Sequence, residues 1–210
     1  MFGIVNYWVF LMSGILLNIA PGPDTLYILG RSISQGRKAG VVSALGISSG
    51  AFIHTTLAAF GLSIILAKSA LAFNTIKFAG VIYLIYMGMR ALLAKSGGLA
   101  VKEAAAEDPR KIYWQGVFTN LFNPKVALFF LAFLPQFVNP ANQCGALPFV
   151  LLGLTFIATG TVWCLIVANS ASFATRQLRQ NQKVATILNK LTGVLFIGLG
   201  LNLIRAKVSH

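Results

Sequence analysis

The chain has 210 residues, of which 57% are apolar and only 10% are charged, and its mean hydropathy is +0.77. Soluble domains carry about 25% charged residues, so this composition excludes an ordinary soluble domain and indicates a single integral membrane domain over residues 1–210. The net charge of +13 comes from lysines and arginines that lie between apolar stretches. Because these cations do not form a continuous basic stripe, we expect no nucleic-acid partner.

Six apolar stretches are long enough to cross a lipid bilayer, which takes about 20 residues of helix. They lie approximately at 4–30, 40–66, 71–94, 113–138, 147–170 and 187–206. The first stretch is longer than a signal-peptide core of about 7–15 residues and has no basic start, so we expect it to be retained. The predicted fold is all-α, with six transmembrane helices.

The basic residues indicate how these helices are oriented. Twelve of the seventeen lysines and arginines lie in the three loops on one side, four lie on the other side, and Lys125 lies inside a span. The positive-inside rule places the first set in the cytoplasm and both termini in the periplasm, for a multi-pass protein of the bacterial inner membrane. The polar segment 95–112 contains three of the four acids, and we interpret it as a solvated cytoplasmic linker.

Two pairs of spans repeat each other along the chain. The motif KFAGVIYLIYMG begins at Lys77 in the third span, and KLTGVLFIGLGL begins at Lys190 in the sixth. Pro23 of the first span corresponds to Pro124 of the fourth, and each follows an asparagine by a few residues. The third and sixth spans therefore match more closely than the first and fourth.

A three-span unit that is duplicated in tandem has its two copies in opposite orientations, because three is an odd number. We therefore predict two inverted three-helix repeats, one over residues 1–94 and one over 113–210. Inverted repeats of this kind build many secondary transporters, with the binding site at the interface between the repeats. The alternative is that two glycine-containing apolar helices match by chance.

The first and fourth spans contain prolines beside polar residues, and we expect both helices to be broken there. Each proline lacks a backbone N–H and displaces a carbonyl one turn earlier, which in the first span would release the carbonyls of Leu17 and Ile19. Irregular backbone at membrane depth is tolerated where it is buried in protein or lines a wet cavity. The alternative is a purely structural kink. The residues that form or flank the two breaks are Asn18, Pro21, Gly22, Pro23, Asn120, Asn123 and Pro124.

Three acidic or basic side chains lie deep inside the spans. Asp24 is the only acid outside the linker, and Lys125 is the only base well inside a span. A charged side chain at the bilayer centre costs about 2.5–3.5 kcal/mol, so we expect both to face protein or water. Asp24 would attract a substrate ammonium or carry a proton, while Lys125 and freed N–H groups would hold a carboxylate. The alternative is a mutual ion pair that locks the two halves together.

His54, in the second span, is the third such group. Its titration near neutral pH would suit a proton relay. An interhelical hydrogen bond is the alternative.

Three stretches resemble the LysE/RhtB family of bacterial amino-acid exporters: PGPDTLYILGRSISQGRKAG, GAFIHTTLAAFGL and NLFNPKVALFFLAFLPQF. The PGPD motif is more similar to the homoserine/threonine exporter branch than to the lysine-exporting branch. The resemblance implies export of amino acids or close derivatives across the inner membrane, driven by the proton-motive force. It also implies that the residues of the Pro-Gly-Pro-Asp and Asn-Pro-Lys motifs line the translocation path.

Other functional classes fit the residues less well. With two histidines and no pair of acids in the spans, the chain offers no carboxylate-rich metal site, so we expect neither a metal, nor another cofactor, nor enzymatic activity. A metal-ion exporter of similar architecture is disfavoured for the same reason. A non-transporting structural or regulatory subunit stays open as an alternative. So does a homo-oligomer, because the glycines of the sixth span allow close packing either within the chain or against a second copy.

Overall fold

The computed structural model describes residues 2–62, 107–139 and 141–180, with backbone only over 171–180, and single positions between 75 and 93 and between 190 and 201. Most of the third and sixth predicted spans, the repeat motif that they share and the linker up to residue 106 lie outside the described residues. All regular elements in the described ranges are helical, and the one β-bridge found there joins Ile4 to Val138.

The first span is a broken helix. Helix α1 runs over Tyr7–Ile19 and helix α2 over Pro23–Gln35, and the two are bent by 45° relative to each other. Gly22 is fully extended at the start of α2, and Pro23 occupies the first helical turn, where its missing N–H costs no hydrogen bond. The break therefore falls where the Pro-Gly-Pro sequence predicts it.

The second span follows after a tight turn. Gly36, at φ +86°, connects α2 to helix α3 over Arg37–Leu57, and this left-handed conformation is one that glycine adopts readily. Helix α3 continues as a π-helical turn over Ala58–Leu62.

The fourth span is also broken. Helix α4 covers Pro109–Leu121 and helix α5 covers Pro124–Leu128, which continues as a π-helical turn to Phe133 and a 3-10 turn to Phe137. The two parts are bent by 47°. Asn123 caps α5 by accepting a hydrogen bond from the backbone N–H of Lys125. The predicted break at Pro124 is thus present.

Helix α6, over Leu147–Gln180, is the fifth predicted span and the longest described helix. By length and apolarity, α3 and α6 can each cross a membrane, and each of the two bent pairs passes the same test when taken as one span. Four of the six predicted spans therefore correspond to described helices.

Glycines bring α3 and α4 into close contact. A Cβ atom on Gly46 would lie 2.2 Å from the carbonyl oxygen of Tyr113, and one on Gly116 would lie 2.8 Å from the carbonyl oxygen of Ser43. A Cβ atom on Gly50 would lie 2.7 Å from the Cβ of Asn120. Small residues allow membrane helices to approach closely, and here they press the break of the fourth span against α3.

Aromatic packing fills the end of the bundle where α1 begins. Phe10, Phe129 and Phe156 are buried there, and the rings of Phe129 and Phe156 stack with centroids 4.5 Å apart. The nearby backbone is tied to the N-terminal residues, since the N–H of Val5 donates to the carbonyl of Phe137 at 2.9 Å. This end of the bundle is closed by apolar contacts.

Candidate functional site

The two helix breaks lie against each other, and each supplies a side chain to the other. The Nζ of Lys125, from the second break, donates to the carbonyl oxygens of Leu17 at 3.1 Å and Ala20 at 2.9 Å. The Nδ2 of Asn120 donates to the Oδ2 of Asp24 at 2.7 Å. These reciprocal contacts join segments about a hundred residues apart in sequence.

Helix geometry explains why the first break needs a donor. Pro21 has no N–H, so the carbonyl of Leu17, four residues earlier, loses its helical partner, as the sequence predicts. Ala20, at the end of α1, supplies the other carbonyl that Lys125 contacts. The last carbonyls of a helix carry partial negative charge, and the Lys125 ammonium satisfies them from outside α1.

The second break is satisfied differently. Pro124 deprives the carbonyl of Asn120 of its helical partner, and this oxygen accepts from the N–H of Asn123 at 2.9 Å and from the Nε2 of His54 at 3.3 Å. His54 is buried and stacks on Phe130 with ring centroids 5.6 Å apart. A carbonyl can only accept, so Nε2 carries the proton. His54 thus makes the interhelical hydrogen bond that the sequence offered as one of its two roles.

Asp24 is buried but only half satisfied. Its Oδ2 is paired with Asn120, whereas its Oδ1 has no hydrogen-bond partner among the residues that the structure describes. In the same part of the chain, the ion pairs within 4 Å join Glu107 to Arg31 and to Lys111. The direct Asp24–Lys125 ion pair considered from the sequence is not formed in this structure.

A small cavity lies beside the two breaks, with a volume of about 30 Å³. Pockets that hold small molecules usually measure about 300–1,000 Å³, so this cavity has room for about two water molecules. Both polar and apolar side chains line it. The polar lining includes Asn18, Asp24, Thr25, Ser48, Asn120, Lys125 and Thr161, and the larger apolar lining residues are Ile47, Val126, Phe156 and Ile157.

The structure brings four of the predicted residues to this cavity and gives the others supporting positions. Asn18, Asp24, Asn120 and Lys125 line it directly. The remaining predicted residues shape or brace the breaks. These are Pro21, Gly22, Pro23, Asn123, Pro124 and His54.

Helix α6 contributes lining residues that the sequence analysis did not select. The Nδ2 of Asn18 donates to the Oγ1 of Thr159 at 3.2 Å, and Gly160 lies directly beside this amide. Trp163 and Cys164 also line the cavity, and the indole N–H of Trp163 has no partner among the described residues. The glycine and threonines of TFIATGTV, polar or small within an apolar span, were the available signal.

A second polar cluster lies at the end of the bundle where α2 ends and α4 begins. The guanidinium of Arg31 pairs with Glu107 at 3.1 Å and lies over the ring of Tyr27, 5.5 Å from its centroid. The Tyr27 hydroxyl donates to the carbonyl of Ile112 at 2.7 Å. Glu107 belongs to the predicted linker, so the end of that segment is held against α2. Among the described residues, no three His, Cys, Asp or Glu side chains are grouped as a metal site.

Comparison with known proteins identifies a family that this sequence matches. The sequence matches the family described as LysE type translocator over residues 15–207. It is 30% identical to the leucine efflux protein of Salmonella choleraesuis (strain SC-B67) over 96% of both chains, and 29% identical to the leucine efflux protein of Klebsiella pneumoniae over the same shares. It is also 31% identical to the uncharacterized membrane protein YrhP of Bacillus subtilis, over 89% of this chain and 92% of that one.

No solved structure matches this chain. The family match covers nearly the whole sequence, including both helix breaks and the residues that join them. This chain is therefore a membrane protein that belongs to the LysE type translocator family.

Proposed function

We propose that this protein is a secondary active exporter of neutral amino acids and their derivatives across the bacterial inner membrane, working by proton antiport and alternating access. The observation that carries the proposal is the pair of reciprocal contacts between the two breaks, Lys125 to the carbonyls of Leu17 and Ala20, and Asn120 to Asp24. They surround a cavity that contains both a carboxylate and an ammonium, the two groups that a zwitterion needs.

The proposed architecture is six transmembrane helices in two inverted repeats, with both termini in the periplasm. The first and fourth spans support it, because they are broken at corresponding prolines by similar angles of 45° and 47°. Broken helices that meet at a repeat interface are the usual binding elements of such transporters. With this orientation, the Arg31–Glu107 pair lies at the cytoplasmic end of the bundle and the phenylalanines around Phe129 lie at the periplasmic end.

Asp24 is the proposed coupling residue. Its Oδ1 is buried without a hydrogen-bond partner in the described part of the chain, so it can accept either a proton or a substrate ammonium. A proton that enters down a potential of 100 mV contributes about 2.3 kcal/mol. One-for-one exchange at that potential would raise the outside substrate concentration nearly fiftyfold.

The apolar part of the cavity lining favours an aliphatic substrate side chain. Ile47, Val126 and Ile157 line the cavity together with the polar residues, which suits a molecule with a charged end and an apolar end. The relatives named for leucine efflux make leucine the first substrate to test, with threonine and homoserine next, as the PGPD motif suggests. Because the cavity is far smaller than an amino acid requires, substrate entry requires one end of the bundle to open.

The test is flux in proteoliposomes that contain the purified protein. We expect transport of at least one neutral amino acid that accelerates when a pH gradient is imposed. In Asp24→Asn, we expect the transport rate to fall by about a hundredfold and the residual transport to be independent of the pH gradient. Asp108→Asn is the matched control, because Asp108 caps α4 at the protein surface and asparagine caps helices equally well.

Two outcomes would contradict the proposal. If the wild-type protein moves no amino acid in either direction, a structural or regulatory role replaces transport. If Asp24→Asn transports with unchanged dependence on the gradient, Asp24 is not the coupling residue.

A further inference from the structure

We propose that the Lys125 ammonium is a tethered substitute for the substrate's own ammonium. In the empty carrier it occupies the carbonyls of Leu17 and Ala20; an incoming amino acid displaces it with its α-ammonium, and the freed Lys125 turns to the substrate carboxylate. The inference rests on the proposed function and identifies where each charged end of the substrate binds.

The two carbonyls form a ready-made ammonium site. They lie 3.1 and 2.9 Å from a single nitrogen at the end of α1, where the helix carries partial negative charge. A buried backbone carbonyl left without a hydrogen-bond partner is costly, so we expect a donor at these two oxygens whether or not substrate is bound. In this structure, that donor is the Lys125 ammonium.

The position of Lys125 in its own helix supports a role outside that helix. It is the second residue of α5, at the positive end of the helix, where a cation is locally unfavourable. Its side chain is 5% exposed and extends across to α1. Gly22 gives it room, since a Cβ there would lie 3.1 Å from Nζ and 3.4 Å from Cε. Among the residues that the structure describes, the hydrogen bonds of the ammonium are therefore made to the first break.

Two residues that line the cavity beside these carbonyls each carry an acceptor that is unpaired within the described part of the chain. The Oδ1 of Asp24 and the Oδ1 of Asn120 are both buried and have no hydrogen-bond partner in the described ranges, and both residues line the same cavity as Lys125. A primary ammonium brings three donors. A substrate ammonium could thus satisfy the carbonyls and one of these oxygens, while its carboxylate would accept from the displaced Lys125.

This exchange predicts selectivity for amino acids over simple amines. An amino acid that displaces Lys125 gives it a new partner, the carboxylate. An amine without a carboxylate would displace the same ammonium and add a second cation to the cavity without bringing a compensating negative charge, which is costly. Lys125 therefore acts against amines in the wild-type protein.

The experiment measures the binding of leucine and of 3-methylbutylamine, which is leucine without its carboxylate, by calorimetry on purified protein in detergent. We expect the wild type to bind leucine at least tenfold more tightly than the amine. In Lys125→Met we expect leucine to bind at least tenfold more weakly and the amine at least tenfold more tightly. Lys125→Arg is the matched control; it keeps the charge and should show no gain for the amine.

A second variant tests the same exchange if Lys125→Met does not fold. Gly22→Ala pushes a Cβ toward Nζ and should loosen the ammonium from the carbonyls, so that the amine gains about threefold.

The outcomes separate the two proposals. If the wild type transports leucine but Lys125→Met weakens the binding of both ligands or leaves the amine unchanged, Lys125 is a carboxylate clamp or a structural brace, and this inference is wrong. The inference is also wrong if Gly22→Ala binds the amine no more tightly than the wild type does. If the wild type neither transports nor binds any neutral amino acid, the proposed function itself is wrong.

Discussion

The carbonyls released at the two helix breaks find their hydrogen-bond donors in different ways. At the first break the carbonyls of Leu17 and Ala20 depend on a side chain from the other half of the chain, the ammonium of Lys125. At the second, the carbonyl of Asn120 is already paired with the N–H of Asn123, three residues on, and His54 adds a second donor. The first break is therefore satisfied by an exchangeable partner and the second largely by its own backbone.

The local sequences explain this difference. Two prolines flank Gly22, so the first break has a fully extended residue between α1 and α2 and few N–H groups of its own. The second break has one proline, and Asn123 caps α5 through its side chain as well as closing the turn. In the proposed exchange, a ligand that brings donors replaces Lys125 at the first break. The carbonyl released at the second break already has donors from within the chain.

The largest expected effect comes from separating α3 from α4, the helix that leads into the second break. Gly46→Ala would place a Cβ 2.2 Å from the backbone carbonyl oxygen of Tyr113, which no rotamer change can relieve. Overpacking typically costs about 1–3 kcal/mol, and we expect about 3 kcal/mol here because backbone must move. Thermal unfolding in detergent, monitored by size-exclusion chromatography, measures this loss of stability.

Gly30→Ala is the control for that variant. Gly30 lies inside α2 with nothing within 4 Å of an added Cβ, so alanine should stabilise the helix by about 0.5–1 kcal/mol. Equal melting temperatures for the two variants would show that α3 and α4 are not held together through Gly46.

The next effect compares the donors at the two breaks. Lys125→Met leaves two buried carbonyls without a donor, at about 1–3 kcal/mol for each unsatisfied group, offset in part because a buried cation is also removed. We expect a net loss of about 2 kcal/mol in the free energy of unfolding. His54→Leu removes one of two donors to a single carbonyl and should cost about 1 kcal/mol.

Denaturant or thermal unfolding of both variants in the same detergent gives this comparison. A larger loss of unfolding free energy in His54→Leu than in Lys125→Met would show that the second break, and not the first, depends more on a donor from another helix. The amine-binding experiment is independent of this result, because it measures ligand affinity and not the free energy of unfolding.

Proline, glycine and intramembrane charge made much of the site predictable. A proline removes a specific N–H, so the position of each break and the released carbonyl at Leu17 follow from local chemistry. The partners of those groups depend on how the helices cross, and the sequence carries no local signal of it. It therefore directed Lys125 to a carboxylate, whereas its ammonium contacts main-chain carbonyls in this structure, and it did not select Thr159, Gly160 or Trp163 of α6.

The subtlest prediction concerns whether His54 carries protons. In this structure it donates to the Asn120 carbonyl and stacks on Phe130, a bond that a neutral amide can also make. We therefore expect His54→Gln to keep the free energy of unfolding within about 1 kcal/mol of the wild type and to transport within about threefold of it, with the same acceleration by a pH gradient. Proteoliposome flux with and without the gradient measures this. The opposite result would be flux that no longer responds to the gradient in His54→Gln but still responds to it in Asp24→Asn. Proton coupling would then belong to His54 at the second break and not to Asp24 at the first.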